Sequence, residues 1–251
     1  MLSEIVIQKN WNALLEIVET QFPDRAYSLL PMYKELEERM VIMPASSNEN
    51  HHNAFPGGYV DHILRVYECA TKLYDVWKHM GADVSGFSIE ELKFAAIHHD
   101  LGKAGHPGTG NEKYKYNDSE WHRKNLGKIY KHNTHIPYAS TPDMSLYLLQ
   151  YYNVAVTWNE YLAIKVHDGV YDESNKQYFM PYNTDYKFKS CLPLIIHHAD
   201  SMAASIEYDS WKLNAKPAIS STGVTVKSPL KKIITPIADG NLSKAFDSIF
   251  E

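Results

Sequence analysis

Cysteine is nearly absent: Cys69 and Cys191 are the only two in 251 residues. Both lie in apolar, helix-like stretches, so no disulfide framework is expected, and a reducing compartment is. No apolar run reaches the roughly 18 residues that a membrane span requires. The opening Met1-Leu2-Ser3-Glu4-Ile5 lacks the basic-then-apolar order of a secretory signal. Positive charge is not in excess, because the formal net charge is −5. That removes the global signature of a nucleic-acid binder, though not a local basic surface. Internal repeats and low-complexity tracts are also missing. These absences lead to the expectation of a cytoplasmic protein with no membrane association.

What is present is an ordinary globular composition, 44% hydrophobic and 22% charged, on a chain long enough for a substantial core. Hydrophobic spacing is helical through most of it. Trp11, Leu14, Leu15 and Val18 form one stripe, and Tyr27, Leu30, Tyr33, Leu36 and Met40 form a second after Pro23. A loop is expected over 44–56. A long helix follows over about 59–77, with the apolar stripe Val60, Ile63, Val66, Ala70, Leu73 and Trp77. Ser88 with Glu91, and Thr157 with Glu160, have the spacing of capping boxes. The first opens a helix that Gly102 is placed to stop. Residues 104–117 read as loop, a helix follows from Asp118-Ser119 to about Tyr130, and His132 and His135 fall in a polar loop. Thr141-Pro142 starts a further helix, with the proline at its first position. A tyrosine-rich loop or lid spans 171–187, and an apolar helix spans 191–208. Beyond Asn214 the chain turns β-branched, serine-rich and punctuated by proline, with a short helix near 242–250. The expectation is an all-α helical bundle with an irregular C-terminal extension: helices packing on the core over 1–45, the main domain over 46–210, and the extension over 211–251.

The chemistry-bearing residues are histidine and aspartate. Eleven of the thirteen histidines, all but His79 and His106, lie in the central region, and the run Ala95-Ala96-Ile97-His98-His99-Asp100-Leu101-Gly102-Lys103 joins imidazole, carboxylate and lysine. Imidazole with carboxylate suits borderline and hard divalent cations, and a nearby lysine suits a phosphate. His62, His99-Asp100, His167 and Asp200 occupy core-facing places on four expected helices. Ligands converging from different elements are what a metal site needs. Asp100 is the candidate to bridge two cations roughly 3.5–4 Å apart, an arrangement that clamps a phosphoryl displacement. Lys103 is the candidate to neutralise phosphate charge. Arg123 and Asp168 are further candidates for substrate contact. His52 and His98 are candidates for orienting a ligand. The tyrosines of 171–186 can stack on a base.

The order His62, then His99-Asp100 with Lys103, then Asp200 resembles the HD-domain superfamily of metal-dependent phosphohydrolases. The stretch His51-His52-Asn53-Ala54-Phe55-Pro56-Gly57-Gly58-Tyr59-Val60-Asp61-His62, with His99-Asp100-Leu101-Gly102-Lys103, is similar to bacterial and phage HD proteins akin to the HD domain of a 3′–5′ exoribonuclease family. The likeness runs from about residue 50 to about residue 205. It implies an all-α fold and a cation held by His62, His99, Asp100 and Asp200. In binuclear relatives two more histidines contribute. His122 matches the first by position and His167 the second, with Asp168 standing where relatives often carry another histidine. The N-terminal OB-fold of the exoribonucleases has no counterpart in the two expected N-terminal helices. The implied activity is hydrolysis of a nucleotide or short nucleic-acid phosphate ester by a metal-activated water, as a phosphodiesterase or a nucleotidase or triphosphohydrolase. One or two divalent cations are implied, among Mn, Fe, Co, Ni, Zn and Mg. The alternatives are a catalytically silent regulatory protein on the same fold and a di-iron oxygenase.

Overall fold

The computed structural model describes residues 2–49 and 51–215. The expected β-branched extension and its short terminal helix lie outside the described residues. Helices α1 (Glu4–Gln21), α2 (Ala26–Met40), α3 (Gly58–His79) and α4 (Ile89–His98) come first. A two-stranded antiparallel ribbon follows, β1 (Tyr114–Tyr116) with β2 (Tyr130–His132), and α5 (Glu120–Leu126) lies between its strands. Then come α6 (Thr141–Tyr151), α7 (Trp158–Lys165), the single turn α8 (Lys176–Phe179) and α9 (Leu192–Ala215). The all-α bundle expected from periodicity is what forms. Among the described residues no helix is long and apolar enough to cross a membrane.

Helix α4 lies at the centre because its second half is apolar all round. Leu92, Phe94, Ala95, Ala96 and Ile97 are all fully buried, the charged Glu90, Glu91 and Lys93 fall in the first half, and a helical stretch without a polar face has nowhere else to go. Its start is fixed by the capping box: Ser88 Oγ accepts from Glu91 N, and Ser88 N donates to Glu91 Oε2. The Thr157 and Glu160 pair fixes α7 in the same way. Around α4 pack α3, α7 and α9, while α1 packs on α3, and α2 packs on α1 and on the turn at Leu101–Ala104. The Arg25 guanidinium ties this assembly at one end. It bridges Glu90 and Glu160 at 2.7 and 2.9 Å and lies 3.8 Å over the Phe94 ring.

Several boundaries differ from expectation for local reasons. Helix α4 ends at His98, and Gly102 does not stop it. Instead a 3-10 turn over Leu101–Ala104 follows. Gly102 is there because α6 crosses its backbone. A Cβ at 102 would lie 2.2 Å from Thr141 O and 2.8 Å from Met144 Cβ. Gly102 N donates to Ser145 Oγ at 2.7 Å, and that hydroxyl in turn lies 3.0 Å from His99 O. Helix α6 is capped one residue earlier than expected, by Ser140, whose Oγ accepts from Asp143 N. Strand β1 arises in a stretch read as loop, and β2 begins at Tyr130, where the expected helix ended, since three residues each are too few for an alternating pattern to register. Helix α5 is shorter than expected and buries none of its residues, and α9 continues past 208 through Ala215.

Candidate metal centre

Three histidines and two aspartates from four parts of the chain meet at the centre of the bundle. His62 comes from α3, His99 and Asp100 from the end of α4, His167 from just beyond α7, and Asp200 from α9. His62 Nε2 lies 3.1 Å from Asp200 Oδ1 and 3.6 Å from Asp100 Oδ2. His99 Nε2 lies 3.5 Å from Asp100 Oδ2 and 3.7 Å from Asp200 Oδ1. His167 Nε2 lies 3.6 Å from Asp100 Oδ1 and 3.5 Å from Asp168 Oδ1. The three histidines and Asp100 are buried.

The orientation of the rings decides what these atoms can do. His99 Nδ1–H donates to Ala96 O at 2.9 Å, and His167 Nδ1–H donates to Ile164 O at 2.8 Å. His62 Nδ1–H donates to the Glu207 carboxylate, 3.1 Å from Oε2. Each outward nitrogen is therefore occupied as a donor, which leaves Nε2 as the lone-pair side facing the aspartates. Buried Nε2 atoms of His62 and His99 have no hydrogen-bond partner. A buried polar atom without a partner is costly, and a cation accepting its lone pair removes that cost. The Nδ1 tie to carbonyl or carboxylate is how metal-binding histidines are held. Ligand atoms of His62, His99 and Asp200, of His99, Asp100 and His167, and of His167, Asp168 and Asp200 form three overlapping groups, each with all its atoms within 4.8 Å of one another. These residues fit a divalent cation.

Electrostatics in the cation's absence follow from the same crowding. Burial alone would lower the pKa of His62, but the Asp200 and Glu207 carboxylates win and hold it at about 9. Burial likewise opposes protonation of His167, and Asp100 with Asp168 holds that ring at about 9. Asp100 is kept well below the usual carboxylate range, against its burial, by Lys103, His99 and His167. Asp200 is lowered against burial chiefly by His62 and His99. Lys103 is buried with its Nζ on Asp100 Oδ2, and that carboxylate outweighs burial to keep the ammonium charged.

Other expected site residues fall in different places. His52 lies on the loop before α3, its ring packed 4.5 Å from that of His62. Its buried Nε2 has no partner, and burial, aided by the charges of His62 and Lys103, pushes its pKa to about 2, so it is neutral. Asp168 stands beside His167 at the partly exposed edge of the cluster. His98 does not orient a ligand. It turns about 100° from His99 around the helix and packs on Phe94, Tyr33 and Phe22, its Nδ1–H donating to Phe94 O at 2.8 Å. His122 is not brought to the cluster. It is exposed on α5 and pairs with Ser119 Oγ at 2.6 Å. Arg123 stays with the same segment, donating to Asn117 O and lying 4.9 Å over the Tyr116 ring. Position in the chain suggested His122 and charge suggested Arg123, but a helix that buries none of its residues has no apolar face to draw them in.

Two residues of the site were missed. Glu207 is buried and binds both His62 Nδ1 and Arg65 Nε, the latter at 3.2 Å. Its signal was present: it follows Asp200 by seven residues, two turns along the same helix face. Lys113, just before β1, is near enough to Asp100 and Asp168 for both carboxylates to act on its ammonium. Nothing local announced it, because the ribbon that carries it was not foreseen.

No family model, curated protein or solved structure matches this chain.

Proposed function

We propose that the protein is a metal-dependent phosphohydrolase of the HD type, hydrolysing a nucleotide or short nucleic-acid phosphate ester. The observation that carries this reading is the convergence of partnerless, buried imidazole Nε2 atoms on Asp100 and Asp200, with each ring's Nδ1 already tied back. His62, His99, Asp100 and Asp200 would hold one divalent cation. His167 with Asp168 extends the ligand set and suits a second. A cation there supplies Lewis-acid activation of water and of the phosphoryl group.

The chain's own residues have separable tasks. Asp100 lies within reach of all three imidazoles and of Lys103. It sets the charge of the centre. Glu207 and the Ala96 and Ile164 carbonyls fix the ring orientations, so little reorganisation is needed when substrate arrives. Lys103 reaches the cluster from the 3-10 turn and supplies a charge that a phosphate's oxygens would meet. That buried ammonium favours phosphate chemistry over oxygenation on the same ligand set.

The test is the Asp100→Ala protein against wild type, with elemental analysis of untreated samples and release of phosphate or pyrophosphate from a panel of nucleotides and dinucleotides under several divalent cations. The expected result is loss of bound metal together with a fall in kcat of at least about a thousandfold. Normal turnover by the variant would refute the mechanism.

A further inference from the structure

The segment between the 3-10 turn and α6 builds a cavity of about 340 Å³ beside the turn that carries Lys103. Gly102 and Gly105 line it, and Lys103 between them has its Nζ on Asp100 of the cluster. Gly105 adopts φ +82°, and a Cβ there would lie 2.1 Å from Asn111 O and 2.7 Å from Lys113 N. The segment leading into β1 therefore closes directly onto the end of the turn that carries Lys103. Asn133 N donates to Lys113 O at 2.9 Å and holds Lys113 in place opposite β2.

Lys113 is a cation without an anion. Its Nζ donates to Thr141 Oγ1 at 2.6 Å, and no carboxylate pairs with it within 4.0 Å among the described residues. An ammonium has three donors, so two remain free. Burial disfavours its charge, and Asp100 only partly restores it. Of the rest of the lining, Ile136, Pro137, Met144 and Tyr138 give an apolar wall, and His132, Asn133 and Thr134 are polar. Tyr138 is 88% exposed, an aromatic face left open at the edge.

We propose that this cavity is the leaving-group subsite of the metal centre. It takes the ring-bearing organic part of a small phosphate ester, about one nucleoside in size, while Lys113 at its boundary with the cluster binds the phosphate beside Lys103. The proposal rests on the phosphohydrolase reading and narrows it to a monomeric substrate. A cavity of 340 Å³ lies at the small end of ligand pockets, and its few polar groups on an apolar wall match how such pockets select a ligand. The open Tyr138 face suits stacking on a base.

The test is calorimetric titration of the Mn²⁺-loaded protein with inorganic phosphate and with adenosine, guanosine, cytidine and uridine 5′-monophosphates. At least one nucleotide is expected to bind tenfold or more tighter than phosphate. Ile136→Trp, which fills the cavity, and Tyr138→Ala, which removes the stacking face, should each bring that nucleotide to within threefold of phosphate. Lys113→Gln should weaken phosphate and nucleotide alike by fivefold or more. If phosphate binds and no nucleotide gains on it, or if both cavity variants keep the gain, the subsite is overturned while the phosphohydrolase reading stands. If neither phosphate nor any nucleotide binds the metal-loaded protein, both fall.

Discussion

Replacing Glu207 by Gln isolates the charge that holds His62. The side chain keeps its size in a buried place, and the Gln Oε1 can still accept from His62 Nδ1–H, which now spans 3.1 Å to Glu207 Oε2. What disappears is the negative charge shared between His62 and Arg65. Two effects then oppose each other. Losing the carboxylate makes His62 a poorer ligand, a change that typically costs about 10–100-fold in metal affinity, or about 1.4–2.7 kcal/mol. It also removes one of the two carboxylates that hold His62 at about 9, so fewer protons compete with the cation at neutral pH. With a pKa of about 9, displacing that proton at pH 7 costs roughly a factor of 100 in apparent affinity, about 2.7 kcal/mol. The two effects are of similar size at pH 7 and separate at pH 9. Mn²⁺ affinity measured by competition with a chelator from pH 7 to 9 should rise steeply in wild type and much less in Glu207→Gln. The variant should be about 10–100-fold weaker at pH 9 and closer to wild type at pH 7. Coincident curves across that range would show that Glu207 neither tunes nor orients the ligand.

The same protonation has further measurable consequences. At pH 7 metal binding should release between one and two protons, from His62 and His167, both held at about 9. Titrations in buffers of different ionisation enthalpy report that number, and zero release would contradict the assigned protonation. In metal-free protein both histidines have folded pKa values above the unfolded 6.5. Their stabilising contribution is therefore complete below about pH 6.5 and is lost as pH rises through about 9. Chemical denaturation of the metal-free protein should show stability falling by a few kcal/mol between pH 6.5 and 9.5, and saturating metal should flatten that fall. Gly102→Ala should destabilise by about 1–3 kcal/mol, because the new Cβ meets backbone at 2.2 Å. A thermal midpoint within a degree of wild type would show that α6 can move away without cost.

Most of the fold and the centre of the site were legible in the sequence because they obey local rules. Helical spacing of apolar residues, the Ser88 and Thr157 capping boxes, and an apolar stretch ending in His98-His99-Asp100-Leu101-Gly102-Lys103 identify the helices and their chemistry one element at a time. His62, His99, Asp100, His167 and Asp200 all lie on the inward sides of such elements, so packing the helices brings them together. Whether a neighbour turns toward the same place is not a local property. His98 is as apolar in context as His99, yet the turn of the helix sends it among Phe94, Phe22 and Tyr33. His122 follows the expected order of ligands, but α5 has nothing to bury. Glu207 acts through His62, and it becomes a partner only when α3 and α9 lie side by side. Lys113 enters only because the segment leading into β1 folds back onto Gly105. Residue type and spacing determined which side chains can bind a cation and on which helix face they sit. Tertiary packing alone decided which of them share one centre, because convergence depends on long-range contacts that no run of adjacent residues encodes.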